Sequence, residues 1–184
     1  VVKKPFPSMP IKFWGDDDHQ KYHKAYFTRF KNIWHHGDYI ERTSNNGFIM
    51  RGRSDATLNP GGVRIGTSEI YQQVEDIDFI TEGLVVGQDF KDDVRIILFV
   101  TTKNNQELNE EKIKIIKSKI RKNCSPKHVP SLVIKTPEIP RTKSGKIVEL
   151  AVRNIINGET INNKEAIANP ESLKFFENLP QLKT

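Results

Sequence analysis

Apolar residues recur along the chain at two spacings, and the switch between them marks its elements. Ile113, Ile116 and Ile120 fall on one face of a helix that Asn109 can cap, with Glu110 and Glu111 in its first turn and Arg121 and Lys122 in its last. Acids at the start and bases at the end complement the helix dipole, and Pro126 prevents continuation. Ile70 and Val74 make a shorter stripe on a helix from Thr67, its expected cap, to about Val74, with Glu69 in the first turn. A third helix is expected over residues 147–156, which Gly158 can terminate. Residues 84–87, 94–100 and 132–134 are runs of strand length instead, the first two joined by residues 88–93. Helix, two strands, helix, strand and helix predict a small α+β domain over about 54–157.

The preceding segment reads as another unit. Pro5, Pro7 and Pro10 open an extended stretch ending at Trp14, and residues 16–30 predict a short helix plus loop. Ile33-Trp34 and Tyr39-Ile40 read as strand, Asn46-Gly47 as a hairpin turn, and residues 48–51 as the returning strand. From 52 to 66 the chain turns loop-like around Asn59-Pro60-Gly61-Gly62.

Composition narrows the field. With 184 residues and 36% hydrophobic content, one domain or one and a half can be built. The chain begins Val1-Val2 without an initiator methionine, so it is expected to be part of something longer. No apolar run exceeds the five residues 96–100, which leaves neither a secretory signal nor a membrane-spanning helix. The single Cys124 excludes an internal disulfide and accords with a reducing compartment. The net charge of +6 is uneven: residues 103–146 hold twelve Lys/Arg against four Asp/Glu, a net +8. Such a sector suits a polyanionic ligand. It has no aromatic residue to stack bases and no nucleic-acid recognition motif, so a small molecule with several phosphates fits better. A merely solvated basic helix face stays open as the alternative.

The octamer Pro140-Arg-Thr-Lys-Ser-Gly-Lys-Ile147 sets Lys146 behind a Ser-Gly pivot. Glycine frees the backbone there, and a compact ammonium suits a carboxylate and a phosphate being brought together. A solvated basic turn would look the same. It is no Walker loop, because Ile147 follows the lysine, and the glycine spacing at 61–68 lacks the lysine. His19 and His23 have the i, i+4 spacing of a metal pair, but no Glu follows His19 and no third ligand is apparent, so no metal site is expected. His35 and His36 read as packing and hydrogen-bonding residues.

Four motifs then occur in order over about 110 residues: Trp34-His-His-Gly-Asp38, Gly52-Arg-Ser-Asp55, Leu58-Asn-Pro-Gly-Gly-Val-Arg-Ile-Gly66 and Lys143-Ser-Gly-Lys146. Together they resemble the C-terminal motifs of acyl-adenylate-forming enzymes, the superfamily that includes the acyl-CoA synthetases. Lys21-Tyr-His-Lys-Ala-Tyr-Phe27 after Trp14, His128-Val-Pro-Ser131, Lys146-Ile-Val-Glu149 and Asn169-Pro-Glu171 are similar to its acetoacetate-activating branch. The resemblance extends over essentially the whole chain.

What the resemblance implies is an ATP-dependent acid–thiol ligase working in two steps. Acetoacetate attacks the α-phosphate of ATP, giving an acyl-adenylate and pyrophosphate, and the thiol of coenzyme A then displaces AMP. Magnesium would accompany ATP, and the location would be cytosolic. Residues 1–53 would end a large N-terminal adenylation domain. Residues 54–157 would form the small C-terminal domain, with a short, mostly antiparallel sheet flanked by helices, and 158–184 a helical tail. Lys146 would be the adenylation lysine, with Arg64 close to the phosphates. Asp38 would hold the ribose hydroxyls and Arg53 assist at ribose or phosphate. Asp55 would be the hinge between the two half-reactions. Gly61 and Gly62 would line the pantetheine channel, and Arg121 would meet the 3′-phosphate of coenzyme A.

Read from the residues alone, Asp38 could be a turn residue, Arg53 and Arg64 surface pairs, and Arg121 a helix-end cation. Ala56 departs from the second acid that many relatives carry beside the hinge. The phosphate loop, adenine pocket and acid pocket of such enzymes lie in the large domain. A non-catalytic remnant or interaction module that keeps the fold therefore stays open as the alternative function.

Overall fold

The computed structural model describes residues 1–161 and 163–184. Contacts divide the chain into two units, Val1–Asp38 and Tyr39–Thr184. In the first unit α1, Gln20–Tyr26, is the short helix expected within residues 16–30. Buried Asp16 accepts the N–H groups of Lys21 and Tyr22, both at 2.8 Å, satisfying amides of the first helical turn. Trp34 is buried and stacks on Tyr26 with centroids 3.8 Å apart. Phe6, Tyr22 and Phe27 pack around the same indole ring. The strand expected at Ile33-Trp34 is reduced to a single bridge between Trp34 and Val2.

A hairpin follows, β1 (Asp38–Arg42) and β2 (Phe48–Arg53), turned at Asn46, whose φ is +59°. Helix α2, Thr67–Val74, then includes the expected cap Thr67 as its first residue. Gly66 holds the cap position, and its N–H donates to the Glu69 carboxylate at 2.9 Å. A Cβ on Gly66 would lie 2.1 Å from the carbonyl oxygen of Arg51, so only glycine lets β2 and the helix start approach this closely.

Strands β3 (Ile80–Phe90) and β4 (Asp93–Thr102) pair antiparallel through a two-residue turn, Lys91 and Asp92, both at positive φ. That turn follows the right-handed strand twist and is far tighter than a link over 88–93. Helix α3, Glu110–Asn123, begins as expected, with the Asn109 side chain accepting the Lys112 N–H at 3.0 Å. Strand β5, Leu132–Lys135, joins β4 in parallel, giving the order β3-β4-β5. The crossover through α3 permits that direction, because parallel neighbours need a long connection. Helix α4, Glu149–Ile156, ends at Gly158, φ +73°, whose N–H donates to Ile155.

Both sheet faces are covered, which accounts for the unbroken apolar run along β4. Ile96, Leu98 and Val100 pack with Val85 against Ile70 and Val74 of α2 and Ile116 and Ile120 of α3. Ile97 and Phe99 face the other way, with Leu84 and Val86, onto Val152 of α4 and onto Phe176 and Leu182 of the tail. The helical tail consists of short 3-10 turns, including Pro170–Phe176 and Pro180–Leu182. It is a structural layer of the domain. No helix among the described residues is long and apolar enough to cross a membrane.

Candidate active site

Lys146 stands on a hairpin whose ends, Arg141 and Ile147, form an antiparallel bridge. Its own N–H donates to Thr142 Oγ1 at 3.0 Å, and its carbonyl accepts the Thr142 N–H at 2.8 Å. Gly145 turns the chain at φ +82°, and the Arg141 guanidinium holds its carbonyl at 2.6 Å. Arg141 also pairs with Glu82 of β3, anchoring the hairpin base to the sheet. The Lys146 side chain is exposed and makes no hydrogen bond or ion pair among the described residues. The backbone is thus fixed while the ammonium remains available.

Arg53 ends β2 and grips Asp55, with Nε 3.3 Å from Oδ1 and an Nη 3.2 Å from Oδ2. The carbonyl of Asp55 accepts from Arg153 of α4 at 2.7 Å, so the expected hinge is tied to the helix that follows the lysine. Asp38, the first residue of β1, pairs with His36. Gly61 lies in a short turn, Pro60–Gly62, at φ +56°, and donates its N–H to both oxygens of Asp93 at 2.8 and 3.1 Å. The N–H groups of Gly61 and Val94, and then the Lys127 charge, hold the Asp93 carboxyl below the usual range. Gly62, with φ +78°, has open space where a side chain would be. Arg64 and Arg121 have exposed side chains that make no hydrogen bond or ion pair among the described residues.

Contacts therefore bring together Arg53, Asp55 and α4, and separately Gly61 and the β3–β4 turn. None joins Lys146 to Arg64 or to Arg121. Among the described residues no group of three or more His, Cys, Asp or Glu side chains could hold a metal ion. Burial pushes the Cys124 thiol up, and its Sγ lies 3.6 Å from the carbonyl of Glu69, which accords with a structural thiol.

Sequence reasoning missed the role of Glu149 and Tyr71. The Tyr71 hydroxyl donates to the Glu149 carboxylate at 2.5 Å and accepts the Val85 N–H at 3.2 Å. Burial drives the Tyr71 hydroxyl well above its ordinary range. Burial also raises Glu149, against the opposing hydrogen bonds of Tyr71 and Thr67. A signal existed: Glu149 opens α4 and Tyr71 lies on the same helix as Ile70, yet only the fold sets the two side by side. A carboxyl raised in the folded state favours the protonated form. Its stabilising contribution is complete below the ordinary value near 4.5 and is lost as pH rises through the folded-state value. Glu149→Gln, which keeps an acceptor for Tyr71, is expected to remove that decline. Urea unfolding from pH 4 to 8 checks it, and parallel pH profiles for the two proteins would refute it.

No family model matches the chain. Acetoacetyl-coenzyme A synthetase of Rhizobium meliloti (strain 1021) is 55% identical over 184 residues, all of this chain and 28% of that protein. Acetoacetyl-CoA synthetase of Gallus gallus is 45% identical over 99% of this chain, again 28% of the relative. The solved acetoacetyl-CoA synthetase of Streptomyces lividans superposes with a TM-score of 0.87 at 37% identity, over the full chain and 29% of that structure.

Along its whole length the chain is similar to the C-terminal part of acetoacetyl-CoA synthetases. It spans little more than a quarter of the length of the relatives it matches. The mixed α/β architecture and small sheet are those of the C-terminal domain of acyl-CoA synthetases, and the branch resemblance in the sequence is borne out by this likeness.

Proposed function

We propose that this chain supplies the mobile small-domain part of an acetoacetate–CoA ligase, converting acetoacetate, ATP and coenzyme A into acetoacetyl-CoA, AMP and pyrophosphate. The observation that carries the reading is the identity of 55% along the entire chain with a synthetase of that name. Magnesium would arrive with ATP, held mainly by its phosphates. A cytosolic location is supported by the lone thiol. Residues 1–53 would close the adenylation domain, 54–157 form the small domain, and 158–184 its tail.

In this reading Lys146 bridges the acid and the α-phosphate, with Arg64 nearby. Asp38 and Arg53 hold the ribose and its phosphate, and Gly61, Gly62 and Arg121 meet coenzyme A. The exposed Lys146 and Arg64 and the open space at Gly62 support those roles. The test is direct. The full-length protein, given ATP and coenzyme A, should release AMP and pyrophosphate only with acetoacetate or a close analogue. A preference for acetate or an aromatic acid would overturn the substrate, and a protein without adenylating activity would favour the non-catalytic module.

Asp55 is proposed as the pivot. A swing there must break the contacts that now fasten the hairpin to α2. They include the Ser68 hydroxyl on the Met50 carbonyl at 3.1 Å, and the Arg51–Glu69 ion pair at 3.3 Å. Asp55→Pro fixes φ near −65° and removes an amide donor, so it should trap one orientation and spare one half-reaction while the other collapses. Full retention of both half-reactions in the variant would rule out this pivot.

A further inference from the structure

We propose that Asn169 is a positioning residue for the Lys146 hairpin, and that through it the tail sets the rate of adenylation without touching the substrates. The inference rests on the adenylating role of Lys146 given above. Residues 140–143 lie between two partners. On one edge Lys146 and Pro140 accept the N–H groups of Thr142 and Val148 at 2.8 and 3.1 Å, closing the hairpin. On the other edge the tail pairs with it through an antiparallel bridge. Arg141 accepts the Ala168 N–H at 2.8 Å, the Lys143 N–H donates to Ala166 at 3.0 Å, and Thr142 bridges to Ile167.

Asn169 locks this pairing across Pro140, which has no N–H of its own. Its Oδ1 accepts the Arg141 N–H at 2.8 Å, while its Nδ2 donates to the Ile139 carbonyl at 3.1 Å and to the Glu138 carboxylate at 2.6 Å. One amide side chain thus engages the three residues that flank the start of the hairpin. Only an amide combines this acceptor with two donors. Buried Ile167 and Leu173, packed with Ala151 of α4, hold the tail in register. Lys146 is bonded to Thr142 through both its N–H and its carbonyl, and Thr142 follows Arg141 directly, so displacement at Arg141 carries to Lys146. A misplacement of about 1 Å at a reacting group can cost 10²-fold in rate.

The test uses the full-length protein with Asn169→Ala, Lys146→Ala and the double variant. Asn169→Ala should lower kcat for acetoacetate-dependent ATP–pyrophosphate exchange about 10- to 100-fold, with little change in KM for ATP. Thioester formation from supplied acetoacetyl-adenylate should persist, and the amides of residues 142–146 should exchange faster while those of β3 and β4 do not. In the Lys146→Ala background, removing Asn169 should cost nothing further, since groups acting through one another are non-additive. Glu138→Ala removes one of the three bonds and leaves the other two, so it should fall between wild type and Asn169→Ala and serves as the readout should Asn169→Ala not fold. Wild-type exchange in an Asn169 variant, with Lys146→Ala inactive, would overturn the inference alone. Full exchange in Lys146→Ala would overturn the underlying reading instead. Equal loss of both half-reactions, or additive loss in the double variant, would mark Asn169 as a general stabilising residue and also overturn the proposal.

Discussion

Lys146→Ala in the full-length protein is expected to lower acetoacetate-dependent ATP–pyrophosphate exchange by about 10²–10³-fold, the range for losing one preorganised group that stabilises transition-state charge. The hairpin backbone should survive, because its bonds run through Thr142, Gly145 and the Arg141 guanidinium and none uses the lysine side chain. Thioester formation from supplied acetoacetyl-adenylate should continue. The comparison separates the role of Lys146 from damage to the domain. Exchange within threefold of the parent would remove Lys146 from the adenylation step.

A large effect on stability is expected from Phe176→Ala. Phe176 is 1% exposed and meets the edge of Phe99 with ring centroids 4.8 Å apart at 80°. It sits on the sheet face opposite α2 and α3, where Ile97, Leu84 and Val152 complete the cluster. Removing a buried phenyl ring costs about 3–5 kcal/mol, combining lost transfer energy with an unfilled cavity, and part of it is the aromatic pair itself. Native-state hydrogen exchange of β3 and β4 amides would report the loss, with Lys174→Ala at an exposed neighbour as the control. A loss below about 1 kcal/mol would mean that the tail is an appendage and not a layer of the fold.

The tail also marks where sequence reading reached its limit. The resemblance implies a helical tail, but nothing in the spacing of Leu173, Phe176 and Leu182 says which surface they cover. The same holds for polar groups distant in the chain. Tyr71 and Glu149 stand 78 positions apart and meet only because α2 and α4 both pack against β3. Asn169 belongs to a recognisable Asn-Pro-Glu segment, yet its three bonds depend on the tail lying beside residues 138–141.

By itself the sequence determined what depends on neighbours within a turn or a strand. That includes the capped amphipathic α3, the Asn-Gly hairpin, the apolar runs of β3 to β5 and the glycine pivot before Lys146. Periodicity, caps and backbone permissiveness are local properties, written in adjacent residues. The ordered motifs also carried the likeness to acyl-CoA synthetases. The tertiary structure alone decided the parallel joining of β5 to β4, the burial that raises Glu149, the tie from Arg153 to the hinge carbonyl, and the tail's place against the Lys146 hairpin. Each of these follows from chain closure and from satisfying buried polar groups between distant segments, and no short-range pattern encodes such pairings.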